Sequence, residues 1–264
     1  MEKIKKLKQK IKKAKIDGYL IPKNDEFFCE YISDYNDRLK FITNFSGSYG
    51  FSIILKKKNY LFVDGRYTLQ AKKQSGKKFD VLEIPYTWPK NIVKITGFKI
   101  GFDPKLFTEN TLKKYFENKV NLVPLEYKFK NKVEKKINKI FSLSNLICGE
   151  SSFSKIEKIK KYLLNKNINY LYISAGENVN WLLNIRGRDL PNSPVVNCKL
   201  IITNKKKLYL FINSKKINNK LKKYFKNIIF YGEDDLFKVI SNLKKGLFCI
   251  DKNTCSIFEK KLIN

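Results

Sequence analysis

The chain repeats itself, and a duplication constrains a fold more tightly than any composition. Asp17-Gly18-Tyr19-Leu20-Ile21-Pro22 follows an amphipathic, Lys-rich segment, and Asn169-Tyr170-Leu171-Tyr172-Ile173-Ser174 follows another at residues 156–164. Phe41-Ile42-Thr43-Asn44-Phe45-Ser46-Gly47 is echoed by Trp181-Leu182-Leu183-Asn184-Ile185-Arg186-Gly187. Two apolar runs around Lys56-Lys57-Lys58 match two around Lys205-Lys206-Lys207, each reading as a hairpin. Gly101-Phe102-Asp103-Pro104-Lys105 has its counterpart in Cys249-Ile250-Asp251-Lys252-Asn253. Asp103 and Asp251 both stand where an apolar strand gives way to a helix, so helix capping is the expected role of each.

Each unit reads helix, strand, loop, strand-turn-strand, helix, strand, helix. The fold class is therefore α/β, as two tandem, internally duplicated layered domains with mixed sheets. The expected boundaries are 1–127 for the first domain, 128–150 for a connector and 151–264 for the second; residues 128–140 of the connector are Lys-rich and read as helical. The first unit continues past Asp103 through a helix at 109–116 into the strand Asn121-Leu122-Val123-Pro124-Leu125. The second has only residues 254–264 after Asp251, enough for the helix alone. By this internal template it lacks its last strand, and the chain is expected to stop early relative to a longer parent.

Composition adds limits. A length of 264 residues suits two ordinary domains, and 43% hydrophobic residues with 14% aromatic can supply two cores. No apolar run approaches the roughly 18 residues that span a bilayer, so a soluble protein without a membrane partner is expected. Ile4, Leu7, Ile11 and Ala14 recur at helical spacing on a Lys-coated segment, which reads as a first-domain helix and not a targeting peptide. With no such leader, five scattered cysteines are expected to be reduced, in a cytoplasmic protein.

The net charge of +31 is carried by lysines spread along the chain, with only four arginines among 55 basic residues. Such a charge attracts polyanions at low salt without sequence preference, and no specific nucleic-acid partner is expected. The four arginines say more. A guanidinium kept in so Lys-rich a chain suggests a planar, five-donor task that an ammonium cannot perform.

In Leu61-Phe62-Val63-Asp64-Gly65-Arg66-Tyr67-Thr68-Leu69-Gln70-Ala71 a β-rich run ends at Asp64, Gly65 permits a tight turn, and a helix is expected from Thr68. Arg66 thus emerges at the C-terminal end of a strand, where α/β sheets present ligand-contacting groups. Its guanidinium is expected to be exposed and not spent on internal ion pairs, the alternative being that Asp64 and Arg66 merely tie the turn together. Residues 44–50 form a small-residue turn that fits neither phosphate-binding fingerprint. Arg186 and Arg188, flanking Gly187 beside Asp189, are expected to be structural. There is no His anywhere. That removes the commonest general base and nitrogen metal ligand, and no Ser–His or Cys–His nucleophile can be built.

Taken together, Cys29-Glu30-Tyr31-Ile32, Arg38, Phe41-Ile42, Phe45, Gly47-Ser48, Gly50 and the run 64–71 resemble the first domain of eukaryotic-type Xaa-Pro aminopeptidases. Trp181-Leu182, Asn184, Arg186-Gly187, Asp189 and Pro194-Val195 resemble their second domain. The sequence departs from that pattern at Tyr49, where the family usually has a small residue, and at Leu39, where it often has Arg. The resemblance implies two creatinase/prolidase N-terminal-like domains, with the catalytic pita-bread domain absent from this chain. No catalytic residue and no metal ligand carries over. Only Arg66 does, as the substrate-binding residue matching the family's peptide-contacting arginine.

The resemblance further implies no cofactor in this chain, manganese in the missing domain, and a peptide with proline at position two as substrate of the whole enzyme. The implied partners are that catalytic domain and, as an option the resemblance leaves open, a second copy in a homodimer. The expected function is substrate positioning and assembly in an Xaa-Pro aminopeptidase, so whether the chain alone counts as an enzyme stays open. The alternative is a non-enzymatic binding or scaffold module that kept the fold.

Overall fold

The computed structural model describes residues 2–93, 97–129, 137–205, 207–243 and 245–264. Its contacts divide into two units, Met1–Glu26 with Asp34–Val133, and Phe27–Ser33 with Glu134–Asn264.

In the first unit α1 (Glu2–Lys13) precedes β1 (Gly18–Pro22) and α2 (Arg38–Thr43). The hairpin β2 (Gly50–Leu55) and β3 (Asn59–Asp64) follows, then α3 (Thr68–Ser75), β4 (Asp80–Ile84), α4 (Pro89–Ile92), β5 (Lys99–Phe102), α5 (Glu109–Phe116) and β6 (Asn121–Pro124). The strands form one mixed sheet in the order β4-β3-β2-β1-β5-β6. β2 runs antiparallel to β1 and β3, and every other pairing is parallel.

Alternation along the strands decides the two faces. Tyr19, Ile21, Ile54, Leu61 and Val63 meet Leu7 and Ile11 of α1, Ile42 of α2 and Ala71 of α3. The opposite parity sends Phe51 and Phe62 to the other face, where they stack at 4.6 Å and Phe51 stacks on Tyr115 of α5 at 4.1 Å. Full burial of side chains this size is worth about 1.5–3 kcal/mol each, so both faces are needed.

The second unit opens with β7 (Phe141–Ser142), α6 (Asn145–Cys148), α7 (Ser152–Asn165), β8 (Tyr170–Ile173), α8 (Gly176–Leu183) and β9 (Ile185–Arg186). β10 (Cys198–Thr203), β11 (Leu208–Ile212), α9 (Asn219–Tyr224), β12 (Ile228–Tyr231), α10 (Leu236–Leu243), β13 (Phe248–Ile250) and α11 (Ile257–Ile263) complete it. β7 and β9 pair in a separate ribbon, and the main sheet runs β12-β11-β10-β8-β13.

The duplication extends to register. Tyr19 pairs with Ile54 and Gly101, and Leu171 with Ile202 and Cys249. The second sheet has five strands where the first has six, with no described counterpart of β6. The echoed Asn44 and Asn184 both end a helix in the left-handed region, at φ 64° and 53°, which Asn tolerates better than most residues.

Three expectations need correction. The order read from the sequence omitted β4 and β12, the short strands at corresponding edges, and treated α2 and α8 as loop. Asp103 and Asp251 do not cap helices: each accepts the amide two residues on, Lys105 at 3.0 Å and Asn253 at 2.8 Å, in a turn. The caps are Thr108 for α5 and Ser256 for α11, the latter in a capping box with Glu259. The helical connector falls largely on residues 130–136, outside the described residues, and the flanks 125–129 and 137–140 are not helical.

Candidate functional site

The C-terminal end of β3 carries the candidate. Asp64 closes the strand in extended conformation, and its carboxylate accepts the Arg66 amide at 3.0 Å, which starts the 3-10 turn Gly65–Tyr67. Gly65 lets the turn lie close under β4, where an added Cβ would stand 2.9 Å from Glu83 Oε1 and push that side chain aside. α3 begins directly after, at Thr68, as the sequence predicts.

The same carboxylate takes the guanidinium: Nη2 donates to Asp64 Oδ2 at 2.7 Å and Nε reaches both oxygens at 3.2 Å. Arg66 is thus exposed, as expected, with its side chain 72% accessible. It is also paired, contrary to expectation. The reason is local: Asp64 caps the 3-10 turn, and the turn brings the side chain two residues on back to the capping carboxylate. So exposed a pair is worth at most about 1 kcal/mol. Its effect is orientation, since it fixes which edge of the fork faces outward. The hydrogen bond from the Arg66 side chain first, then its backbone amide and charge, hold the Asp64 carboxyl below its ordinary range.

Neighbouring groups stiffen the turn. The guanidinium lies 5.2 Å from the Tyr67 ring centre, Tyr67 packs edge-on against Phe45 at 5.8 Å, and its hydroxyl meets Ser48 Oγ at 2.8 Å. Ser46 is held by Gln74, whose Oε1 accepts its amide at 2.9 Å. Gly47 fits under these rings only because it has no side chain: a Cβ would fall 2.2 Å from Phe45 Cζ. The small-residue turn at 44–50 is therefore the brace of the Arg66 turn.

The other three arginines are placed differently. Arg38 pairs with Glu26 in a partly buried contact. Arg186 donates to the Asn180 and Ile185 carbonyls at 3.1 and 2.8 Å, a structural use, and Arg188 is exposed. Asp189 binds neither neighbour. It makes a buried ion pair with Lys216, a partner sequence reasoning missed because no local signal marks one lysine among so many.

All five cysteines are free thiols. Among the described residues no three His, Cys, Asp or Glu side chains come together to hold a metal, and no helix there is long and apolar enough to cross a membrane.

Residues 3–131 and 131–263 each match the creatinase/prolidase N-terminal domain family. The chain is similar to a Coprinopsis cinerea protein named "Probable Xaa-Pro aminopeptidase P", 29% identical over 91% of this chain and 41% of that protein. It is also similar to "Xaa-Pro aminopeptidase 1" of Dictyostelium discoideum, 28% identical over 84% of this chain and 39% of the other. Among solved structures, X-prolyl aminopeptidase from Caenorhabditis elegans, described as a cytosolic enzyme with a di-nuclear active site, matches 87% of this chain and 40% of its own. The TM-score of that match is 0.79 at 26% identity. The chain thus spans about two-fifths of the length of these relatives. With one family match on each half and one strand order built twice, the chain belongs to the creatinase/prolidase N-terminal domain family and carries two such domains in tandem.

Proposed function

We propose that this chain is the non-catalytic, substrate-positioning part of an Xaa-Pro aminopeptidase. The single observation that carries the reading is Arg66, a guanidinium oriented by Asp64, 72% exposed at the C-terminal end of β3. An exposed, pre-oriented fork suits the carboxylate or carbonyl of a peptide better than it suits the stability of the turn.

In this reading the first domain, about residues 1–127, presents Arg66 to a peptide with proline at position two. The second, about 151–264, serves assembly with a catalytic pita-bread domain. That domain would supply the metal ions, manganese among the candidates, that activate water. This chain's own residues would bind and orient the peptide. A cytoplasmic location agrees with the relative described as cytosolic.

The test is reconstitution. The chain, alone and mixed with or fused to the catalytic domain of an Xaa-Pro aminopeptidase, is given a proline-second peptide and manganese. Alone it should release no N-terminal residue above a metal-free blank. With the catalytic domain present, its addition should raise kcat/KM. Chelator-sensitive release by the chain alone, or a catalytic domain equally active without it, contradicts the proposal.

A further inference from the structure

Tyr49 stands just before β2, whose first residue Gly50 pairs with Val63. Continued by one residue past its last pair, this register sets Tyr49 opposite Asp64, the residue that orients Arg66, and the Asp64 charge is felt at the Tyr49 phenol. Side chains opposite one another share a face, with Cβ atoms about 4.5–5.5 Å apart. Tyr49 also has the parity of Phe51, so it points to the face where Tyr115 stacks on Phe51 and Trp88 lies 5.9 Å from Tyr115. Despite these neighbours it remains 45% exposed. Its loop is fixed relative to Arg66 through Ser48 Oγ and Tyr67 Oη, 2.8 Å apart.

From this geometry we infer that Tyr49 is a second peptide-contacting residue, whose hydroxyl donates a hydrogen bond to the carbonyl or carboxylate that Arg66 engages. The inference rests on the peptide-positioning role proposed for Arg66. Partial burial first, and then the Asp64 charge, push the phenol above its ordinary range, so it stays a donor throughout the neutral range. Among the described residues, none bonds its hydroxyl. The Asp64 carboxylate is already engaged by Arg66. Tyr49, which feels the Asp64 charge, and Arg66, which binds that carboxylate, are thus two exposed donors beside one residue, a neutral one and a charged one. A single acceptor oxygen on a peptide backbone can take both.

The experiment uses the 264-residue chain itself, labelled for NMR at tyrosine rings and arginine Nε–H, with a glycyl-prolyl-glycine tripeptide as probe. Tyr49 and Arg66 signals should move together and saturate at one Kd. Tyr49→Phe, which keeps the ring and removes the donor, should raise that Kd roughly 2–10-fold, the worth of one neutral hydrogen bond. Tyr49→Ala serves as a second variant, its folding read from the remaining tyrosine signals, and should weaken binding at least as much. Saturable movement of Arg66 with an unchanged Kd in Tyr49→Phe overturns the role of Tyr49 and leaves that of Arg66 standing. Movement of neither signal overturns both.

Discussion

At the end of β3, Asp64 accepts the Arg66 amide at 3.0 Å; at the end of β11, Asn213 accepts the Lys215 amide at 3.1 Å. Both open a 3-10 turn, and the shared sheet registers make the two positions equivalent. The chemistry around them diverges. In the first domain a carboxylate holds a guanidinium outward, and the next residue, Tyr67, packs against Phe45 and meets the Ser48 hydroxyl. In the second an amide cap holds no charge. The residue after Lys215, Lys216, turns inward to the buried ion pair with Asp189. The position matching Tyr49 is Asn197, 5% exposed, whose backbone N–H donates to Asp189 at 2.8 Å. One copy spends this edge on its own stability, and the other leaves it open. Duplication supplied the same platform twice, and side-chain choice determines which copy can meet a ligand.

The largest effect should come from the closed edge. Asp189→Ala strands Lys216 inside the second domain, and breaking a buried pair this way costs about 3–5 kcal/mol. Thermal unfolding should show a clear loss, whereas Asp64→Ala in the open edge should cost about 1 kcal/mol or less. Equal losses would mean that the two edges do the same work.

The paired helix ends give a middle-sized contrast. Asn184 accepts from Lys155 Nζ and donates to the Glu150 carbonyl, both at 2.8 Å, while Asn44 is exposed. Asn184→Gly keeps the left-handed backbone but strips these bonds, so it should cost about 1–3 kcal/mol. Asn44→Gly should be near neutral. Chemical denaturation of both variants measures the difference.

The smallest effect concerns the matched turn aspartates. Burial raises the Asp103 carboxyl above its ordinary range, mainly by desolvation, whereas Asp251 is exposed. A carboxylate whose folded-state value is raised binds more protons folded than unfolded. Its charge therefore costs stability above the folded-state value, and that cost fades as pH falls toward the ordinary value. Asp103→Asn keeps the turn acceptor and should raise Tm at pH 7 by a margin that shrinks toward pH 4. Asp251→Asn should change little at either pH.

Much of this was legible in the sequence. The repeat, the hairpins around their lysine turns and the strand-to-helix turn at Arg66 all rest on local periodicity, and local periodicity survives in a single chain. The edge strands β4, Asp80-Val81-Leu82-Glu83-Ile84, and β12, Ile228-Ile229-Phe230-Tyr231, were missed because each follows a Lys-rich helix and is not part of the repeat motifs that marked the other strands. The true helix caps were readable in Ser256-x-x-Glu259, but the aspartates at the strand ends drew the assignment. What no local pattern carries is long-range partnership. Lys216 finds Asp189, and Phe27 and Cys29 pack with Leu190 and Val195, through contacts that exist only once the chain has folded.

The central claim is that the open edge, and not its closed twin, meets the peptide. It is tested by kcat/KM for a proline-second peptide in the chain joined to a catalytic domain, comparing Arg66→Lys with Lys215→Ala. One charge-assisted contact is worth on the order of 1.5–3 kcal/mol, so Arg66→Lys should lower kcat/KM by roughly 10–150-fold, carried by KM. Lys215→Ala should stay within about twofold of the parent, since an exposed lysine contributes under about 1 kcal/mol. Equal kcat/KM for Arg66→Lys and the parent, or an equal fall in both variants, would contradict the account.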